Sequence, residues 1–345
     1  DTIMIKTAII GLGFMGATHI RAYRKIPNVT IAAVCSPSGR NLDGDLSRVA
    51  GNLGDADPVR LDMAEVKAFQ SYQELLADPT IDLIDICTPT RTHCELAIAA
   101  LQSGKHVLCE KPLARTAKAA RRVVDVAGES KGFFMPAMCL RFWPEWAWLK
   151  RAIADDRFGR VLSASFRRVA PPPAWGQKNF FDGAQSGGAL IDLHIHDTDF
   201  VQFCFGKPRS VFSSGYTKFS GAIDHVMTQY EVSSGAMVCA EGGWAMSEGF
   251  GFSMSYTVNF QRATAVYDVA RGAEALHLYQ DGKPAEIVKF EEPDGFVGEL
   301  THMVEAITSG KAPTVVTAAD GLAAVEICEA EEKSVSTRKP VLISV

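Results

Sequence analysis

Asp192 and His196 stand four positions apart in the stretch GGALIDLHIHDTD, residues 187–199. On a helix that spacing brings a carboxylate and an imidazole onto one face, one turn apart. The two can orient one another, and an imidazole near its ordinary pKa takes a proton at neutral pH. Gly187 and Gly188 let the backbone approach a neighbour closely, or cap the helix start. The same pair also fits a solvated helix face or a satisfied core contact, so its meaning depends on the elements around it.

A second constellation opens the chain. Ile5–Ile10 is apolar and β-branched, the pattern of a buried strand. It runs into Gly11-Leu12-Gly13-Phe14-Met15-Gly16, and Ala17–Ile26 then reads as a helix stopped by Pro27. Strand, GxGxxG and helix in this order form a dinucleotide site. The glycines permit a tight turn, let a pyrophosphate approach the backbone, and allow close helix–strand packing. N–H groups at the helix start meet the phosphate charge, which puts Phe14, Met15 and Gly16 on the cofactor side. The next strand, Thr30–Cys35, ends in Ser36-Pro37-Ser38-Gly39-Arg40. NAD sites usually carry a carboxylate here, about 20 residues past the glycines, to bond the ribose hydroxyls. Ser36 and Arg40 instead suit a 2′-phosphate, which points to NADP(H) ahead of NAD. The plainer reading is that Arg40 points into solvent.

The remaining candidates fall along the alternating elements of the first 135 residues. Asn41–Asp62 is polar and poorly periodic, an expected surface insertion of loop and helix. A short helix follows at Ser71–Leu76, then an apolar strand at Ile81–Cys87 that leads to Thr88-Pro89. His93–Ser103 reads as a helix ended by Gly104, and the strand His106–Cys109 leads to Glu110-Lys111-Pro112-Leu113. A helix at Ala117–Ser130 and a strand at Phe133–Met135 complete an alternation that indicates an α/β Rossmann domain, a doubly wound parallel sheet. Ligands bind such sheets at the carboxyl ends of the strands, where Gly11–Gly16, Ser36, Thr88, Pro89 and Lys111 all fall. His93 is counted with them on the cofactor side, with helix packing as its other reading.

Beyond residue 135 the texture changes. Trp143, Trp146 and Trp148 lie in RFWPEWAW, where each suits a core and one could form an apolar wall beside a substrate. Gly159–Ala170, Asp224–Val232, Ala236–Glu241, Leu276–Tyr279 and Ile287–Phe290 read as strands, several with period-two alternation. These predict a C-terminal α/β domain with a large, open, mostly antiparallel sheet whose exposed face suits a homodimer or homotetramer contact. The expected division is 1–135 and 136–345, with the helix over 318–333 a candidate for packing back on the first domain.

With 345 residues, 47% hydrophobic and 22% charged, the chain has room for two globular domains. A net charge of −5 and no basic stripe argue against a nucleic-acid partner; Arg121–Arg122 and Arg167–Arg168 read as solvated positions. No apolar run reaches the roughly 18 residues of a membrane span. The start, DTIMIKTAIIG, lacks the layout of a signal peptide. The eight cysteines form no CxxC pair and no zinc spacing, so no metal is expected and a reducing cytoplasm is the expected setting.

Gly11–Gly16, Cys109–Leu113 and Gly187–Asp199 together resemble the glucose–fructose oxidoreductase/inositol dehydrogenase family over nearly the whole length. The Glu-Lys-Pro signature and the later G-G-x-L-x-D-x-x-x-H pattern carry the likeness. The resemblance implies a dinucleotide domain plus an open-sheet domain, and hydride transfer between a nicotinamide and a sugar- or cyclitol-like alcohol. It matches the catalytic lysine, aspartate and histidine to Lys111, Asp192 and His196, places Glu110 near the nicotinamide ribose, and implies a cis Lys111–Pro112 bond. His194, at a position often small in the family, would narrow the pocket or add a polar contact. Ser36 departs from the NAD-preferring members.

The chemistry expected on this reading is removal of a hydride and a proton from a secondary alcohol. His196 takes the proton, Lys111 bonds the same oxygen, and Asp192 holds a neighbouring hydroxyl, with Trp143 as a candidate apolar wall. Two other classes share the motifs: a glycoside hydrolase that oxidises its sugar transiently with retained NAD, and a non-catalytic nucleotide-sensing regulator, which would need neither Lys111 nor His196.

Overall fold

A computed structural model describes residues 4–49, 57–173 and 180–344. The chain forms two compact units: Asp1–Ala114 with Lys118–Phe142 and Pro293–Leu322, and Arg115–Ala117 with Trp143–Glu292 and Ala323–Val345. Residues 136–142 and 293–322 therefore group with the first unit, where a single cut after 135 assigns them to the second. Of the helix expected over 318–333, only 318–322 group with the first unit.

The first unit is built on six parallel strands: β1 (Ile5–Ile10), β2 (Val29–Cys35), β3 (Lys67–Phe69), β4 (Leu83–Ile86), β5 (His106–Glu110) and β6 (Phe134–Ala137). They lie in the order β3-β2-β1-β4-β5-β6, so the order reverses between β1 and β4. Every residue of β4 is buried, as expected of a strand covered on both faces. The helices are α1 (Phe14–Tyr23), α2 (Tyr72–Leu76), α3 (His93–Gln102) and α4 (Ala117–Glu129). The first helix starts at Phe14, three residues before the sequence pattern suggests, because Gly13 is its N-cap. Gly104, at φ +82°, follows the end of α3 in the left-handed conformation that stops helices. Residues 41–49 and 57–62 form turns and one bridge, Asp45 to Arg60, rather than the expected helix; residues 50–56 of that insertion lie outside the described residues.

The second unit carries α5 (Pro144–Ala154) and α6 (Ile195–Phe205). Its nine strands are β7 (Val161–Val169), β8 (Ser210–Tyr216), β9 (His225–Glu231), β10 (Met237–Gly243), β11 (Ser253–Phe260), β12 (Thr264–Asp268), β13 (Leu276–Tyr279), β14 (Glu286–Val288) and β15 (Val341–Leu342). The order is β14-β13-β12-β11-β7-β10-β9-β8-β15, antiparallel throughout except for the parallel pair β7 and β10. Register separates the two faces. Ala164, Val238, Tyr230 and Val258 pair across four strands and are buried. Phe212, Met227, Met237 and Tyr279 are exposed on the opposite face. On the buried side Trp146 of α5 is fully buried, its ring 4.9 Å from Phe200, 5.1 Å from Tyr256 and 5.7 Å from Tyr267. Trp148 is also buried, so two of the three tryptophans are core.

Arg168 corrects the solvated reading of Arg167–Arg168. It is buried, and its Nε donates to Asp197 Oδ2 at 2.8 Å; a guanidinium in the core requires such a partner. Arg167 is half-buried and donates to Glu241 at 2.8 Å. Two further helices, α7 (Gly295–Ser309) of the first unit and α8 (Ala318–Thr337), close the chain. Asp294 caps α7, accepting from the N–H groups of Phe296 and Val297 at 3.0 and 3.1 Å. Among the described residues no helix is long and apolar enough to cross a membrane.

Candidate active site

At the carboxyl end of β1 the chain turns through Gly11 at φ +101°, where a Cβ would lie 2.5 Å from the carbonyl oxygen of Cys87. Gly11 N–H donates to Cys35 O at 2.9 Å, tying the turn to the end of β2. A Cβ on Gly16 would run into the carbonyl of Gly11, so the helix can lie this close to the strand only without a side chain there. Gly13 differs from both: it is exposed, and a Cβ there would meet nothing within 4 Å. Phe14 and Met15 are half-buried, and the first turn of α1 carries no acidic residue. Open space over a helix start with no repelling carboxylate fits a dinucleotide pyrophosphate.

Ser36, directly after β2, is buried, with its Oγ 3.3 Å from Ser38 Oγ, while Arg40 is exposed. Asn41 holds this loop against the glycine turn through Nδ2, which donates to Leu12 O at 2.9 Å. No carboxylate lies between Ser36 and Asn41. After β4, Thr92 Oγ1 donates to Pro89 O at 2.8 Å and lies 2.7 Å from Thr88 Oγ1. His93 is buried, with Nε2 2.7 Å from Thr88 O and Nδ1 2.7 Å from Pro112 O. Its ring therefore braces the loop after β4 against the loop after β5, the packing reading of this residue. Glu110 is buried and accepts the backbone N–H of half-buried Lys111 at 3.0 Å; the Lys111–Pro112 bond is cis. Gly11, Ser36, Thr88, Glu110 and Lys111 thus share one edge of the parallel sheet.

The second unit presents its own constellation. Gly187 and Gly188 both have positive φ, +79° and +68°. A Cβ on Gly188 would lie 2.5 Å from Ile223 O, and one on Gly187 would lie 2.5 Å from Ile191 Cγ1. The facing loop is fixed by Asp224. It accepts the N–H groups of Lys218, Phe219 and Ser220 at 2.5–3.0 Å, the Ser220 hydroxyl at 2.5 Å and Trp244 Nε1 at 2.9 Å. Burial alone would raise the Asp224 pKa, but these donors outweigh it and hold the carboxyl below its ordinary value.

Residues Leu190–His194 form a π turn that continues into α6. Such turns recur at functional sites because they shift the facing of side chains within a helix. From Gly188 to Gln202 every residue is buried except Asp192, Leu193 and His196. The acid and the imidazole are therefore two of the three half-buried positions in an otherwise buried stretch. His194 corrects the expectation of a pocket residue. It is fully buried against Gly242, with Nε2 3.1 Å from Tyr230 OH and 3.3 Å from Glu331 Oε1. Trp143 is half-buried at the N-cap of α5, where its carbonyl accepts from Trp146 and Ala147.

Sequence comparison adds the decisive match. Residues 5–138 fit the model "Oxidoreductase family, NAD-binding Rossmann fold", and residues 146–266 fit "GFO/IDH/MocA C-terminal domain". The chain belongs to the GFO/IDH/MocA oxidoreductase family. Myo-inositol 2-dehydrogenase of Thermotoga maritima is 25% identical over 98% of each chain. The scyllo-inositol 2-dehydrogenase (NAD(+)) of Bacillus subtilis is 26% identical over 99% of this chain and 97% of that one. A solved structure of levoglucosan dehydrogenase in complex with NADH and L-sorbose matches the fold with a TM-score of 0.85 over 99% of both chains, at 21% identity. Like other GFO/IDH/MocA proteins, this one is an oxidoreductase with an NAD-binding Rossmann domain.

Sequence reasoning passed over His19, Asp85 and Glu299, all fully buried in the first unit. Asp85 did leave a signal: it is the one charged residue within the strand Leu83–Ile86. A carboxylate in a strand covered on both faces requires a partner in the core.

Proposed function

We propose that the protein oxidises a secondary alcohol of a sugar or cyclitol, with a nicotinamide dinucleotide as hydride acceptor. The half-buried pair Asp192 and His196 carries this reading. An acid and an imidazole left half-buried in a stretch that is otherwise buried from Gly188 to Gln202, Leu193 apart, are placed to meet a ligand. When bound, the nicotinamide accepts the hydride. His196 takes the hydroxyl proton, Lys111 hydrogen-bonds the same oxygen and steadies its developing negative charge, and Asp192 orients a neighbouring hydroxyl. Trp143 supplies an apolar wall to the ring. The inositol dehydrogenase names among its relatives support the substrate class.

For the cofactor we favour NADP(H). Ser36 and Arg40 stand where a ribose-binding carboxylate is usual, and a guanidinium bonds a 2′-phosphate that a carboxylate would repel. The exposed sheet face with Phe212, Met227, Met237 and Tyr279 supports assembly into a homodimer or homotetramer. None of the eight cysteines stands in a disulfide, which suits a reducing cytoplasm.

The test is reduction of NAD and NADP, followed separately by absorbance, against a panel of inositols, aldoses, anhydrosugars and sugar acids. A positioned acid or base is typically worth about 10²–10⁴ in rate. Lys111→Ala and His196→Ala should each lose turnover on that scale. A loss under about tenfold in either would reject its role, turnover with NAD alone would reject the NADP(H) assignment, and sugar release without net reduction would mark a hydrolase.

A further inference from the structure

Beneath the glycine turn lies a buried polar cluster that the hydride chemistry leaves unused. His19, on α1, is fully buried. Its Nδ1 lies 2.8 Å from Asp85 Oδ2, and its Nε2 lies 3.2 Å from Glu110 Oε1. Glu110 turns its other oxygen to the backbone N–H of Lys111 at 3.0 Å. The side chains thus form a line from β4 through α1 to the end of β5: Asp85, His19, Glu110, Lys111 N–H.

Both ring nitrogens face carboxylate oxygens. Nδ1 makes a hydrogen bond to Asp85, whereas Nε2 meets Glu110 at ion-pair distance without hydrogen-bond geometry; a neutral imidazole would leave one of the two carboxylates facing an uncharged nitrogen, while an imidazolium sets positive charge against both. The groups around the ring come from every element packed on it. Cys87 Sγ lies 3.4 Å from His19 Nδ1. Tyr23 comes from α1 itself, and Glu299 and Phe296 from α7, the Phe296 ring centroid lying 6.5 Å away. Burial opposes a charge on His19, but Asp85 and Cys87 together outweigh it and raise its pKa well above the ordinary value. Burial would likewise raise Glu110, yet His19 and Lys111 hold it below its ordinary range. Glu299 has no hydrogen-bond partner for either oxygen among the described residues, and burial beside Glu110 pushes its pKa far up, so it keeps its proton. His19 then carries its proton beside an ionised Glu110, with Glu299 as a neutral acid.

We propose that His19 is a positioning residue: held as an imidazolium between Asp85 and Glu110, it locks the Glu110 carboxylate onto the Lys111 backbone and so fixes where the Lys111 side chain sets out. The catalytic consequence rests on the role given to Lys111 above; the protonation state and the line of contacts do not.

The test uses the full chain labelled with ¹⁵N. In the histidine spectrum, the resonance lost in His19→Gln should show both ring nitrogens protonated at pH 7.5. The Lys111 amide proton, bonded to a charged acceptor, should move upfield in His19→Gln and in Glu110→Gln. The double variant should move it no further than Glu110→Gln alone. With an alcohol from the panel, His19→Gln should slow turnover about tenfold or more and leave the dinucleotide Kd within about threefold. A neutral His19 at pH 7.5, a metal ion held on its ring, additive amide shifts, or a loss confined to Kd would each overturn the proposal. Full activity of Lys111→Ala would instead sink the functional reading, while the two spectroscopic results would stand.

Discussion

Gly13 separates cofactor binding from folding more cleanly than any other residue of the glycine turn. Its backbone sits at φ −92° as the N-cap of α1, and a Cβ there meets nothing within 4 Å. Alanine therefore fits the protein; the weaker N-capping of alanine costs about 0.5–1 kcal/mol, a fall in Tm of about 2–3 °C. The new methyl would stand where a pyrophosphate must approach the helix start. Losing one charge-assisted N–H to phosphate bond removes about 1.5–3 kcal/mol. At 1.4 kcal/mol per decade, dinucleotide affinity should fall about 10- to 100-fold. Fluorescence titration with NADH and NADPH measures the loss, and thermal unfolding without cofactor measures the cost to the fold. Affinities within about threefold of the native protein at unchanged Tm would refute the placement of the phosphate. Gly16→Ala is the control with the opposite outcome. Its Cβ runs into the Gly11 carbonyl, so stability falls first, by about 1–3 kcal/mol.

Three further outcomes follow from the same geometry. Arg168→Met leaves Asp197 buried without its 2.8 Å partner and should cost about 3–5 kcal/mol, read from the denaturant midpoint. Asp224 has a folded pKa below its unfolded one, so its contribution is complete above about pH 4 and is lost as the pH falls through the folded value. The stability gap between native protein and Asp224→Asn, measured by urea unfolding, should therefore narrow in acid; a gap that widens there would contradict the donor set around this carboxyl. Arg40→Ala should weaken NADPH about tenfold or more and leave NADH nearly unchanged in competition titrations, the difference being one charge-assisted bond to the 2′-phosphate.

Much of this protein was written locally in the chain. The strand–GxGxxG–helix order, the apolar run through β4, the glycine after α3 and the period-two strands of the second unit are short-range patterns. Backbone conformation and alternating burial act over a few residues, so such patterns can be read without coordinates. The candidate pair Asp192 and His196 belongs to the same class, because a four-residue spacing is a local property.

Only the tertiary structure could decide what distant residues do to one another. His194 and His196 are two positions apart, yet one is fully buried against Gly242 and Glu331 while the other stays half-buried. Arg168 looked like half of a solvated basic pair until Asp197 appeared beside it in the core. The line Asp85–His19–Glu110 joins residues whose sequence separations of 66 and 91 carry no pattern. The return of 293–322, the helix Gly295–Ser309 with the start of the next, to the first unit is likewise decided by packing. Sequence sets which side chains are offered and on which face. Burial decides which of them must pair, because a polar group shut away from water is tolerated only with a partner.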